Sequence, residues 1–127
     1  MKTITVATKD LEGIFLDWAV AVATKQTVWC EQGVVFQHGD GFPEYYQPSV
    51  NWGQAGRLMD KYNVWLSSYE KDDGSIVKVA SCSPHSNAAI QEAQSSLIAA
   101  CRAIVMMELG ERVEMPNLIK ARCSSDK

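Results

Sequence analysis

Val64-Trp65-Leu66-Ser67-Ser68-Tyr69-Glu70 and Ser75-Ile76-Val77-Lys78-Val79-Ala80 flank the turn residues Asp72-Asp73-Gly74. β-Branched and aromatic residues on both sides of an Asp-Gly turn are the strongest hairpin signal in the chain. A second, shorter hairpin is expected upstream, where Thr27-Val28-Trp29-Cys30 and Val34-Val35-Phe36 meet across Gln32-Gly33. Between the hairpins, residues 37–49 carry His38, Gly39, Asp40, Gly41, Phe42, Pro43, two tyrosines and Pro48 and read as a long loop.

Helical periodicity surrounds these strands. Thr8 or Asp10 caps a first helix running to about residue 24, with Leu11, Ile14, Phe15, Trp18 and Val22 on one face. Leu16 and Val20 fall opposite, on a face with no evident cover, which points to a subunit interface and a homo-oligomer. Ser49 reads as the N-cap of a second helix ending near Asn63. A third spans residues 89–109 before Gly110, with Pro84 keeping it out of the loop at 81–87. Residues 1–9 are either a short strand or a loose arm, and residues 118–127 a frayed tail. The expected architecture is a single α+β domain over residues 1–127, three helices packed on a small, mostly antiparallel sheet.

Composition narrows the function classes. The 127 residues are 46% hydrophobic and 21% charged, enough apolar material for one real core. A net charge of −3 argues against nucleic acid, whose phosphates demand a basic patch. The apolar stretches at 15–23 and 97–107 are short and interrupted by Asp17 and Arg102, so no membrane span is expected. The opening residues resemble no secretory signal, and the four cysteines are irregularly spaced, so reduced thiols in the cytoplasm are expected.

No nucleophile–base arrangement, Walker loop or dinucleotide-binding glycine fingerprint accompanies His38 and His85. Cys82 and His85 have a metal-like spacing, but no second pair completes a site. No catalytic residue, cofactor or metal is therefore assigned. The better constellation is Tyr46, Ser49, Asn51 and Trp52 at the entry to the second helix. Helix-terminal N–H groups there attract an anion, and the two rings offer faces for stacking. Capping by Ser49 and packing of the rings would explain most of the group. Asn51 is the member that capping explains least.

On the last helix Ile98, Cys101, Val105 and Leu109 define a buried stripe, with Arg102 about 60° from its centre. An Arg at that edge must snorkel, pair with a carboxylate or meet a ligand. Asp17 is its natural partner within the chain, and a ligand-facing Arg102 is the alternative. The candidate ligand-binding set is thus Tyr46, Ser49, Asn51, Trp52, Arg102 and Asp17.

Three stretches carry a family resemblance. They are Leu16-Asp17-Trp18-Ala19-Val20-Ala21, Tyr46-Gln47-Pro48-Ser49-Val50-Asn51-Trp52-Gly53-Gln54-Ala55-Gly56, and Leu97-Ile98-Ala99-Ala100-Cys101-Arg102 continuing through Leu109-Gly110-Glu111 to Val113-Glu114-Met115-Pro116. In order and spacing they resemble the NinX family of small phage proteins. The chain departs from that pattern at Asn51, where an Asp is common, at Ala55, where a Gly is usual, and in the loop before Tyr46. The resemblance implies a phage accessory protein acting in the host bacterial cytoplasm and brings no reaction with it. With the polar-aromatic constellation, it leads to the expectation of a non-enzymatic binder of a small anionic or aromatic, nucleotide-like ligand, such as a host defence signal. The alternatives are a module that blocks or redirects a host protein, carried by the two-sided apolar first helix and the aromatic residues at 42–46, and a nucleotide-acting enzyme using His38 or His85.

Overall fold

A computed structural model describes residues 3–82 and 91–116, and one helix, α3 (Ser96–Leu109), decides how they pack. Its sequence alternates small and branched apolar residues, so it is buried on two sides rather than along one stripe. Cys101 and Val105, with Ile98 and Leu109 beside them, face α1 (Gly13–Thr24) in one cluster. That side is the stripe expected from the sequence. Ala99, Ala100, Ala103 and Ile104 face a strand hairpin in a second cluster. The three alanines let the helix backbone lie close to the strands, which is why a second apolar face can be built from such small side chains.

The hairpin is the one expected: β5 (Val64–Glu70) and β6 (Ile76–Cys82) pair antiparallel from Val64↔Cys82 to Glu70↔Ile76. Gly74 closes its turn at a φ of 89°, and its N–H donates to the Lys71 carbonyl. A short strand, β7 (Gln91–Ala93), adds to the other side of β6. This corrects the expected start of the last helix. Residues 91–93 satisfy their backbone in the β6 ladder, and the Ser95 hydroxyl then caps α3 by accepting the Ile98 N–H at 3.4 Å.

The second expected hairpin also forms. β2 (Val28–Glu31) and β3 (Val34–His38) join through Gln32 and Gly33, at φ 50° and 78°, the left-handed pair that a two-residue turn requires. The long loop is partly ordered as a strand, a second correction. β4 (Pro43–Tyr45) pairs with β3 from Phe36↔Tyr45 to His38↔Pro43, so the turn chemistry of Gly39 and Gly41 marked a hairpin rather than a loose loop. A third ribbon ties the ends together: β1 (Thr3–Ala7) pairs with β8 (Arg112–Pro116). Thr8 adds a bond from its hydroxyl to the Gly110 carbonyl at 2.6 Å. The arm alternative for the N-terminus is thereby replaced by a strand. Instead of one sheet there are three small antiparallel ones, with α2 (Trp52–Tyr62) beside α3. The 118–127 tail, Ala89, Pro84, His85 and Cys123 lie outside the described residues.

The faces of α1 are the largest correction. Leu16 and Val20 are fully buried, whereas Val22 is 48% exposed and Ile14, Phe15 and Trp18 are only half-buried. The first helical turn is offset because Thr8–Asp10 forms a separate 3₁₀ turn and α1 begins at Gly13. Leu11, expected at the head of the apolar face, therefore lies outside the helix, though it too is buried. The face assigned to a subunit contact is the intramolecular core. Among the described residues no helix is long and apolar enough to cross a membrane.

Candidate functional site

The start of α2 is built by Asn51. Its side-chain oxygen accepts the Gln54 N–H at 3.0 Å and makes Asn51, not Ser49, the N-cap. Pro48 and Ser49 belong instead to a turn in which Val50 and Asn51 donate to the Gln47 carbonyl, so the helix begins later than expected. Ser49 is 3% exposed, and its N–H donates to the Asp17 carboxylate at 2.9 Å. The Ser49 hydroxyl also bonds that carboxylate, yet burial prevails and lifts the Asp17 carboxyl to about 6.

Gln54 then fastens the preceding segment to the helix. Its side-chain oxygen accepts the Gln47 N–H and its amide donates to the Tyr45 carbonyl, each at 2.7 Å. Tyr46, held between these two bonds, donates its N–H to Val35 of β3 and is buried with its phenol beside Thr24. Burial raises the phenol above its ordinary range, with the Thr24 hydroxyl pulling the other way.

Above Tyr46 opens a groove of about 200 Å³ between the end of α1, the β2–β3 hairpin and α2. Thr24, Gln26, Gln37, Tyr46, Gln54, Arg57, Leu58 and Lys61 line it. One rim is a chain of carboxamides oriented by a carboxylate: Gln26 donates to Gln37 at 2.9 Å, and Gln37 donates to Glu44 at 2.7 Å. The other rim is cationic. Arg57 and Lys61 stand one helical turn apart on α2, and among the described residues neither is paired with a carboxylate. Lys61 also sits 5.6 Å from the centre of the Tyr62 ring. Two cations facing an amide rim, with the Tyr46 ring and Leu58 between them, can hold an anionic group attached to a flat polar one.

Of the six sequence-derived candidates, only Tyr46 lines this groove. Asp17 and Ser49 are brought together, as a buried brace rather than an open site. Trp52 is 58% exposed and stands nine positions before Lys61, roughly 180° around α2 from it, so the two aromatic rings do not share a cleft. Arg102 does not pair with Asp17. Its Nε donates to the Leu11 carbonyl at 2.7 Å and a terminal nitrogen donates to the Glu92 carbonyl at 2.9 Å. Burial lowers its pKa against the opposing pull of Glu12 and Asp10. The guanidinium ties the 3₁₀ turn's exit to β7.

The sequence reading missed Arg57, Lys61 and the three glutamines. The signal available was the Arg57–Lys61 spacing on one helix face. Among the described residues no group of three His, Cys, Asp or Glu side chains gathers as metal ligands. Cys82 and Cys101 are buried with their thiols pushed up by desolvation, Cys82 to about 11, so neither presents a thiolate. His38 is exposed at the end of β3, its ring 4.9 Å from that of Trp29.

No curated protein matches the chain. The model of the family described as Bacteriophage P22, NinX, matches residues 7–108, from the end of β1 through nearly all of α3. That span covers most of the sequence, including the groove and the Asp17–Ser49 brace, and the chain belongs to the NinX family of phage proteins.

Proposed function

We propose that this phage protein binds a small anionic, nucleotide-like ligand in the groove over Tyr46, without catalysing its turnover. The observation that carries the reading is the pair of cations, Arg57 and Lys61, set across the groove from the Gln26–Gln37 amide chain. A phosphate would take the cationic rim, where Arg offers a planar fork and Lys a point charge. The carboxamides, each a donor and an acceptor, would read the polar edge of a base. The groove is too small to enclose a long polymer and would hold part of one nucleotide with the rest at its mouth, in keeping with the net charge of −3. In a host cytoplasm such a binder would act by sequestration, lowering the free concentration of a nucleotide signal used in defence.

Titration calorimetry against a panel of mono-, di- and cyclic nucleotides tests this reading. Binding by one member, weakened at least about tenfold by Arg57→Ala or Lys61→Ala, is the expected result. A flat response across the panel, matched by empty protein in native mass spectrometry after incubation with host lysate, overturns it.

A second reading, contact with a host protein, draws on Phe42, Tyr45, Val50 and Trp52, which are 58–70% exposed along one stretch of chain. Under that reading Phe42→Ser removes the activity while Arg57→Ala leaves it.

A further inference from the structure

β5 is the longest edge strand among the described residues, and its edge is undefended. Among the described residues it pairs with β6 on one side only, and its seven residues contain a single charge, Glu70, at the far end. Edge strands are ordinarily blunted by lysine, proline or a bulge. None is present here, and Trp65, Leu66 and Tyr69 are 42%, 39% and 44% exposed.

The direction of the free backbone groups follows from the hairpin turn. The Lys71 N–H donates to the Ser75 carbonyl, which makes that a hydrogen-bonded pair. An antiparallel ladder alternates, so Trp65, Ser67 and Tyr69 bond to β6, while Val64, Leu66, Ser68 and Glu70 turn their N–H and C=O groups outward.

We propose that this edge pairs antiparallel with the same strand of a second copy of the chain, about a two-fold axis at Ser67. The register is self-complementary. Leu66 meets Ser68 of the second copy and Val64 meets its Glu70, in the positions where both backbones present free groups. Trp65 lies opposite Tyr69 of the second copy at a non-hydrogen-bonded position, where side chains approach most closely, while the Tyr69 hydroxyl stays bonded across β6 to Glu92 at 2.9 Å. Only the small Ser67 side chain lies on the axis. The two Glu70 carboxylates fall at opposite ends, so no like charges oppose each other. The three-stranded sheets β5-β6-β7 of both copies then become one six-stranded sheet.

The available area sets the strength. Two half-exposed aromatic side chains and one strand edge per copy bury on the order of several hundred Å², below the roughly 1,200 Å² at which stable interfaces begin. The dimer is therefore weak and reversible, and independent of the ligand groove on α2.

Sedimentation velocity of the full chain from about 5 to about 500 μM reads the association directly. A dimer that grows with concentration is expected, and a monomer throughout overturns the proposal. Ser68→Pro removes only an outward N–H, and Leu66→Lys restores an edge charge; both should remain monomeric with an unchanged circular dichroism spectrum. Ser67→Cys places two thiols across the axis with Cα atoms about 4.5 Å apart, within reach of a disulfide. Mild oxidation of that variant should give covalent dimer well above the wild-type level, whereas Ser75→Cys at the hairpin tip should not. Association that survives both edge variants, or that leaves the Ser67→Cys protein uncrosslinked, places the contact elsewhere and overturns the proposal.

Discussion

The Asp17 carboxylate on α1 accepts the backbone N–H of Ser49, thirty-two residues along the chain, at 2.9 Å in a buried setting. This bond fixes where the Gln47–Asn51 turn lies on the core, and so where α2 and its two groove cations begin. Asp17 is thus a positioning residue.

Its titration has a definite sign. Burial lifts the folded-state pKa from 3.8 to about 6, so between those values the folded protein binds more protons than the unfolded chain. The favourable contribution is complete below about pH 4, declines as pH rises to about 6, and is absent above. The difference amounts to about 3 kcal/mol. Asp17→Asn keeps an oxygen for the Ser49 N–H and removes the charge. Thermal melts from pH 4 to 8 should show the variant gaining on wild type as pH rises. Parallel curves for the two proteins would contradict the assignment.

The capping roles at the start of α2 can be separated in the same way. Asn51→Ala deletes the acceptor of the Gln54 N–H and should destabilise by about 1 kcal/mol, while Asn51→Asp should retain most of that. Ser49→Ala leaves its N–H bond to Asp17 intact and removes only the hydroxyl contact. Denaturant midpoints rank the three, and an Asn51→Ala protein as stable as wild type would refute the cap.

Local chemistry was the legible part of the fold. Asp-Asp-Gly and Gln-Gly between β-rich runs located both hairpins because such turns are decided by a few adjacent residues. What could not be read was anything set by distant partners. Residues 91–93 look helical alone but are recruited by β6, and Arg112–Pro116 becomes a strand only because β1 lies beside it. The groove was hidden for the same reason. Gln26 lies in the α1–β2 connection, Gln37 on β3 and Arg57 on α2, and of the groove's lining only Tyr46 was singled out from the sequence. Arg102 was recognised as a buried charge needing a partner, but two backbone carbonyls supplied it instead of Asp17.

That arrangement makes Arg102 structural. Truncation to Ala leaves the Leu11 and Glu92 carbonyls without their charged donor and opens space beside α3, a loss of about 3 kcal/mol. Arg102→Lys cannot span both carbonyls in the same fork and should recover less than half. If nucleotide binding is found, its affinity in folded Arg102→Lys should match wild type. A selective affinity loss without loss of stability would instead place the guanidinium at a ligand.

The two faces of α1 offer the last test. Leu16 and Val20 have no exposed surface, while Val22 is 48% exposed on the same helix. Leu16→Ala should leave a cavity against Cys101 and Val105 and cost about 2–5 kcal/mol. Val22→Ala should fall within about 0.5 kcal/mol of wild type, as surface changes usually do. Chemical denaturation at micromolar protein compares them directly. A Val22→Ala protein as destabilised as Leu16→Ala would mean that α1 is rotated from its described position and that its other face is the one covered.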